Sequence, residues 1–131
     1  MEPEDVVHVL RNMVDAVRPS GVVLDLQVIR PDPVVEIDGR AVCAIRGGRL
    51  FAKADAAVAA VDALIRAGEL VEHGVDDHDV LKHYATGRDL VEDFARKERE
   101  LPSHALPELE AREATCVVRE RCRLRKLVVS G

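Results

Sequence analysis

The densest group of side chains that could bind a metal lies between residues 73 and 83. Imidazole and carboxylate groups are common metal ligands, and Asp79 and His83 would share one face if this segment were a helix. The spacing matches no zinc motif such as His-Glu-x-x-His, and a solvated helix start, whose acids the helix dipole favours, explains the same residues. Whether this segment binds a metal is therefore left open by the sequence, and the candidate ligands are His73, His78, Asp79 and His83.

A second group of candidate residues is basic and surrounds a predicted β-hairpin. Four cations fall within 14 residues and no acid separates them: Arg40, Arg46, Arg49 and Lys53. We expect Arg46 and Arg49, which flank Gly47-Gly48, to stand at a hairpin tip. A two-stranded ribbon can enter a DNA groove, and arginine can bind phosphate in a bidentate way. The alternative is a charged hairpin that prevents edge-to-edge strand pairing.

The charge of the chain is unevenly distributed. The net charge is −5, but residues 1–110 carry −9 and residues 111–131 carry +4. The acidic body disfavours nucleic acid as a partner, because non-specific affinity for nucleic acid is mostly phosphate neutralisation. The basic segment either packs against the acidic body, its own or a second subunit's, or extends the partner-binding surface with Arg121, Arg123 and Arg125.

The composition excludes several classes of function. Three aromatic residues are too few for a platform that stacks single-stranded bases. The glycines form no phosphate-binding or dinucleotide-binding pattern, so we expect no cofactor and identify no catalytic residue.

The odd count of three cysteines, Cys43, Cys116 and Cys122, fits small apolar residues in a reducing cytoplasm. The sequence contains neither a signal peptide nor a membrane-spanning apolar run, so we expect no membrane association.

The elements that would position these groups follow from hydrophobic periodicity and turn residues. Helices are predicted over 3–18, over 54–67 and from Thr86, as N-cap, to about Glu100. Strands at 22–30, 34–37, 40–46 and 49–53 are predicted to form an antiparallel meander with tight turns at Asp38-Gly39 and Gly47-Gly48. Residues 76–86 and the C-terminal segment 108–129 each fit either a helix or a strand.

Residues 35–55 also carry a family likeness. Asp38-Gly39-Arg40, an apolar strand, a turn and Leu50-Phe51-Ala52-Lys53 resemble the centre of the TfoX N-terminal and YjbR-like domains. The resemblance extends over about residues 4–100, although the Met-Phe-Gly-Gly stretch common in that family is absent. It implies a small α+β domain with a regulatory or nucleic-acid-associated role, and it implies no catalytic residue.

Together these observations predict an α+β fold, in which helices pack on one face of an antiparallel meander of about four strands. Residues 1–100 would form the domain, and residues 101–131 a basic C-terminal extension packed on the domain or on a second subunit. We expect a non-catalytic module that contacts a macromolecular partner, either another protein or a second copy, through the basic hairpin and tail. The alternatives are a small-molecule site or small enzyme, with Tyr84, His83 or Glu36 converging on a pocket between sheet and helices, and a structural homodimer built through the tail.

Overall fold

The computed structural model describes residue 9 and residues 12–130. Much of the predicted first helix, including Val6 and Leu10, lies outside the described residues, but residues 12–16 are helical (α1). The remaining elements follow in chain order: β1 Val22–Val28, β2 Val34–Ile37, β3 Arg40–Ala44, α2 Gly48–Arg66, β4 Leu70–Tyr84, α3 Gly87–Arg96, a 3-10 turn Ser103–Ala105, α4 Leu106–Ala111 and β5 Cys116–Val129.

The five strands form one antiparallel sheet, which confirms the predicted α+β class. The strand order is β1-β5-β2-β3, and β4 also pairs with β5. The predicted meander is wrong, because β5 lies between β1 and β2. Only the β2–β3 hairpin at Asp38-Gly39 matches it, and there both turn residues have positive φ. Local pattern could not reveal this order, since β5 is separated from β1 by almost the whole chain.

The second predicted turn is also wrong. Gly47-Gly48 joins β3 to α2, and residues 49–53 belong to the helix. The alternation of Leu50 and Phe51 suggested a strand, but Phe51 continues the helical spacing of Ala54, Ala57 and Val61, all of which are buried. Arg49 and Lys53 therefore lie on a helix and do not border a hairpin tip.

Most of the two segments whose secondary structure the sequence left open is strand, although residues 108–111 belong to helix α4. Residues 70–84 form β4 and residues 116–129 form β5, the strand with the most neighbours in the sheet. The predicted helix after β4 is confirmed as α3, and the Thr86 hydroxyl accepts a hydrogen bond of 3.1 Å from the backbone N–H of Asp89. The segment predicted as an extension thus supplies a pairing partner for β1 and β2.

The chain divides into two compact units with separate cores. The first unit comprises Met1–Ile29, Gly48–His78 and Cys122–Gly131. Its core includes five buried side chains from three strands and α2: Val23, Val61, Leu64, Leu70 and Leu127.

No helix in the described part of the chain is long and apolar enough to cross a membrane.

The second unit comprises Arg30–Gly47 and Asp79–Arg121. Its core packs α3 and α4 against strands of the sheet, through Leu90, Phe94, Leu109, Val35 and Val118 among others. These five side chains are at most 2% exposed. The helices are held close enough that a Cβ on Gly87 would lie 1.9 Å from the carbonyl oxygen of Leu109. Glycine at the start of α3 is therefore a packing requirement.

Candidate functional site

The second unit holds a buried carboxylate that the sequence analysis did not single out. Tyr84 ends β4, and Thr86 caps α3 two residues later, so that α3 turns back beside the strand it follows. Leu90 and Phe94 face the core, which leaves Asp93 on the flank of α3 that meets β4. Asp93 is one of three buried charged residues in the described chain.

Four side chains donate hydrogen bonds to this carboxylate. Tyr84 Oη lies 2.5 Å and Lys82 Nζ 3.1 Å from Asp93 Oδ2. Lys97 Nζ lies 3.0 Å from the same oxygen, and Arg96 Nη2 lies 2.9 Å from Oδ1. We call Lys82, Tyr84, Asp93, Arg96 and Lys97 the Asp93 cluster.

The environment of the Asp93 cluster sets its protonation states. The hydrogen bonds from Tyr84, Lys97 and Lys82 hold the pKa of Asp93 well below its usual range, against the opposing effect of burial. Burial, followed by the hydrogen bond to Asp93, raises the pKa of the Tyr84 hydroxyl. Asp93 is therefore ionised and Tyr84 is a neutral donor at physiological pH. Tyr84 is not an activated nucleophile or base.

Local spacing could have revealed part of this cluster. Asp93, Arg96 and Lys97 are three and four residues apart, which places them on one helix face. Lys82 and Tyr84 join them only because β4 runs beside α3, and no local signal indicates that packing.

Four arginines of the C-terminal segment, Arg119, Arg121, Arg123 and Arg125, lie at alternate positions of β5, and each contacts carboxylates of the same chain. In the second unit, Arg119 binds Glu36 at 3.0 Å and Asp79 at 3.0 Å, and Arg121 binds Asp79 at 3.2 Å. The hydrogen bonds from both arginines lower the pKa of Asp79. Arg119, which the sequence analysis did not select, is thus part of the same pattern.

The first unit continues the pattern along β5. Arg123 makes a bidentate contact with Asp77, at 2.8 and 3.0 Å. Arg125, which is buried, contacts Glu72 at 2.5 Å and Asp62 of α2 at 3.1 Å. Carboxylates therefore surround Arg121, Arg123 and Arg125, as expected if the basic segment packs on the acidic body of its own chain.

The other four predicted partner-binding residues do not share one hairpin. Arg40 begins β3 and binds Glu108 of α4 at 2.9 Å. Arg46 lines a groove of about 450 Å³ together with residues 100–104, and Tyr84, His83 and Glu36 are not among its lining residues. Arg49 and Lys53 belong to α2 in the first unit.

The candidate metal ligands are spread along an extended strand. His73, His78, Asp79 and His83 all lie on β4, where each residue adds about 3.3 Å, so that neighbouring histidines in this series are roughly 16 Å apart. Among the described residues, no three His, Cys, Asp or Glu side chains gather into a group that could hold a metal ion. The carboxylate of Asp79 is engaged by arginines instead.

Strand β1 exposes an apolar stripe. It pairs with β5 in an unbroken antiparallel register, with Leu26 opposite Leu124. Val22, Leu24 and Leu26 alternate along one face and are 49%, 62% and 52% exposed. On the other face, Asp25 is buried, and its Oδ2 has no hydrogen-bond donor among the described residues, whereas its Oδ1 accepts a bond of 2.8 Å from Gln27.

Comparisons of this chain with protein-family models, with curated proteins and with solved structures found no match. The resemblance to the TfoX N-terminal and YjbR-like domains therefore stays a prediction.

Proposed function

We propose that this chain is a non-catalytic protein-binding module of the cytoplasm that associates with a second copy of itself through strand β1. The observation that carries the proposal is the exposed apolar stripe of Val22, Leu24 and Leu26 on a strand at the edge of the sheet. Contiguous exposed apolar surface on a small protein is typical of an interaction site. All three cysteines are thiols, which supports the reducing compartment.

The two longer edge strands of the sheet differ in how they are protected. β4 pairs only with β5 among the described elements, but it carries Glu72, three aspartates and Lys82, and charged side chains are a common device against edge pairing. β1 has no lysine, arginine or proline, and its register with β5 has no bulge. β4 also exposes Val71, Val75, Val80 and Leu81, but charged side chains lie among them. We therefore assign the second copy to β1.

The sequence of β1 favours a second copy as the occupant of this edge. Two copies related by a two-fold axis pair their edge strands in antiparallel fashion, and the same residues then lie on both sides. With the axis at Leu26, Leu26 faces Leu26 and Leu24 faces Val28 of the second copy, which joins the two apolar stripes. Residues directly opposite each other share a face of the sheet and contact each other.

In the same register, the unpaired Oδ2 of Asp25 also gains a hydrogen-bond donor. Asp25 then lies opposite Gln27 of the second copy, whose amide has two N–H donors. A buried acceptor without a donor costs roughly 1–3 kcal/mol, so a donor across the axis stabilises the pair. An axis at Asp25 would instead place two buried carboxylates side by side.

The function predicted from the basic segment has less support. Arg121, Arg123 and Arg125 already bind carboxylates of the chain, so their charge is largely neutralised before any partner arrives. Binding to a polyanion relies on cations that can replace its counterions. For this reason the proposal assigns the partner surface to β1.

The mass of the protein in solution tests the proposal. We expect light scattering coupled to gel filtration to give twice the chain mass of 14.4 kDa at high micromolar concentration. Leu26→Glu should be monomeric there, because two carboxylates would face each other across the axis. Leu81→Glu is the matched control, since Leu81 is also an exposed strand leucine, but on β4. It should remain dimeric.

A charge-swap experiment tests the register. Leu26→Lys alone should also be monomeric, and an equimolar mixture of Leu26→Glu and Leu26→Lys should recover a dimer. Far-ultraviolet circular dichroism would confirm that each variant is folded. A monomeric wild-type chain, or dimers of both single variants at Leu26, would refute the proposed interface.

A further inference from the structure

The Asp93 cluster has more hydrogen-bond donors than its carboxylate can accept well. Tyr84, Lys82 and Lys97 all donate to Oδ2, and a carboxylate oxygen offers about two lone-pair sites. Each ammonium group has three N–H donors, so at least two on each lysine point away from Asp93. Lys82 is also held in place by the ring of Tyr84, whose centroid lies 5.2 Å from its Nζ.

The cluster also has an excess of positive charge. Three cations surround one anion, because Lys82, Arg96 and Lys97 each form an ion pair with Asp93. The side chains remain accessible to a ligand, since those of Lys82, Arg96 and Lys97 are 52%, 78% and 46% exposed, whereas that of Asp93 is 10% exposed.

Stabilisation of the helix explains only part of this arrangement. Arg96 and Lys97 end α3, where cations interact favourably with the helix dipole. Lys82 comes from β4 and has no such role. Its ammonium group shares an oxygen of Asp93 with the ammonium group of Lys97, and the repulsion between two cations held this close opposes the arrangement.

We infer that the exposed side of Lys82, Arg96 and Lys97 is a binding site for a phosphate group. A phosphate carries a charge of about −1.5 to −2 near neutral pH and three strong acceptor oxygens. That charge matches the two positive charges in excess over Asp93, and the oxygens can accept from N–H donors that Asp93 does not take up. A carboxylate ligand would neutralise only half of the excess. Asp93 acts as the anchor that holds the three cations in position before the ligand arrives.

This site is independent of the association through β1. The Asp93 cluster belongs to the second unit, and β1 belongs to the first unit. The two proposals can therefore be tested by different substitutions, and the failure of one leaves the other standing.

Calorimetric titration of the full chain with inorganic phosphate at low ionic strength tests the inference. We expect one site per chain, with binding weakened roughly tenfold by Lys82→Gln and by Lys97→Gln, as the loss of one charge-assisted contact implies. Lys97→Arg should retain binding. Arg88→Gln is the matched control, because Arg88 is an exposed cation on the first turn of the same helix and has no ion-pair partner among the described residues. It should bind phosphate as the wild type does.

A second arm separates the possible sources of the phosphate group. Phenyl phosphate, a monoester, should bind as well as the inorganic ion if the site recognises the terminal group of a larger ligand. A preference for the inorganic ion of tenfold or more would identify free phosphate as the ligand. Absence of binding by both, or an equal loss with Arg88→Gln and Lys82→Gln, would overturn the inference. Thermal unfolding of each variant would show that the loss does not come from misfolding.

Discussion

Tyr84 donates a hydrogen bond of 2.5 Å to Asp93, and this contact joins the end of β4 to α3 in the second unit. The ring of Tyr84 also packs edge to face against the ring of Phe94 in the core, at a centroid distance of 6.5 Å. A polar network and an apolar core therefore meet at one side chain. The protonation state of Asp93 should influence the stability of the whole unit.

The first prediction concerns the dependence of stability on pH. Because the pKa of Asp93 is lower in the folded chain than the ordinary value of about 3.9, its contribution is fully present above that value and is lost as the pH falls below it. Urea unfolding of the wild type should show a fall in stability between about pH 5 and pH 2. Asp93→Asn should be less stable at pH 7 and should lose less on acidification.

Asp76→Asn is the control for this measurement. The Asp76 side chain is mostly exposed and lies 2.9 Å from His78, and pairs this exposed contribute little, so its replacement should change stability far less than Asp93→Asn does. If Asp93→Asn followed the same pH profile as the wild type, Asp93 would not be the group responsible.

The second prediction compares two arginines of β5. Arg125 is buried between Glu72 and Asp62, and its removal leaves both carboxylates without this partner. We expect Arg125→Gln to reduce the free energy of unfolding by about 2 kcal/mol. Arg123 forms a bidentate pair with Asp77 in a more exposed setting, so Arg123→Gln should cost about 1 kcal/mol or less. Equal losses in chemical denaturation would contradict this difference in burial.

The third prediction concerns the β2–β3 turn. Gly39 has a φ of 76°, a conformation that L-residues adopt at a cost, although a Cβ there would meet no atom within 4 Å. Gly39→Ala should therefore reduce the free energy of unfolding by about 1 kcal/mol through backbone strain alone. Gly74 is the matched control, because it has the same open space without a positive φ. Gly74→Ala should leave the midpoint of urea unfolding unchanged or raise it slightly.

The fourth prediction concerns the reactivity of the thiols. Cys43 and Cys116 are buried, and burial is the main reason why the pKa of each thiol is raised. The thiolate is the reactive form, so an aromatic disulfide reagent should modify native Cys43 and Cys116 on the order of a hundredfold more slowly than a free thiol. In urea, three thiols per chain should react rapidly. Rapid reaction of all three thiols in the native protein would show that these positions open readily.

Several features of this fold could be predicted from neighbouring residues. Thr86 and Asp89 predicted the start of α3, because an N-cap depends on residues three positions apart. Asp38-Gly39 predicted the β2–β3 hairpin, because the turn needs two residues that tolerate positive φ. Three of the five residues of the Asp93 cluster belong to one helical turn and its end. Each of these features depends on residues within one turn of the chain, so the neighbouring side chains are enough to predict it.

Sequence by itself therefore determined the α+β class, the cap of α3, the turn at Asp38-Gly39 and the uneven distribution of charge. Only the tertiary structure decided that residues 116–129 are a strand paired with β1 and β2, and that their arginines are opposed by carboxylates from β2, β4 and α2. It likewise brought Lys82 and Tyr84 to Asp93. The reason is physical: pairing between distant strands is selected by the burial of many side chains at once, and no short segment contains that information.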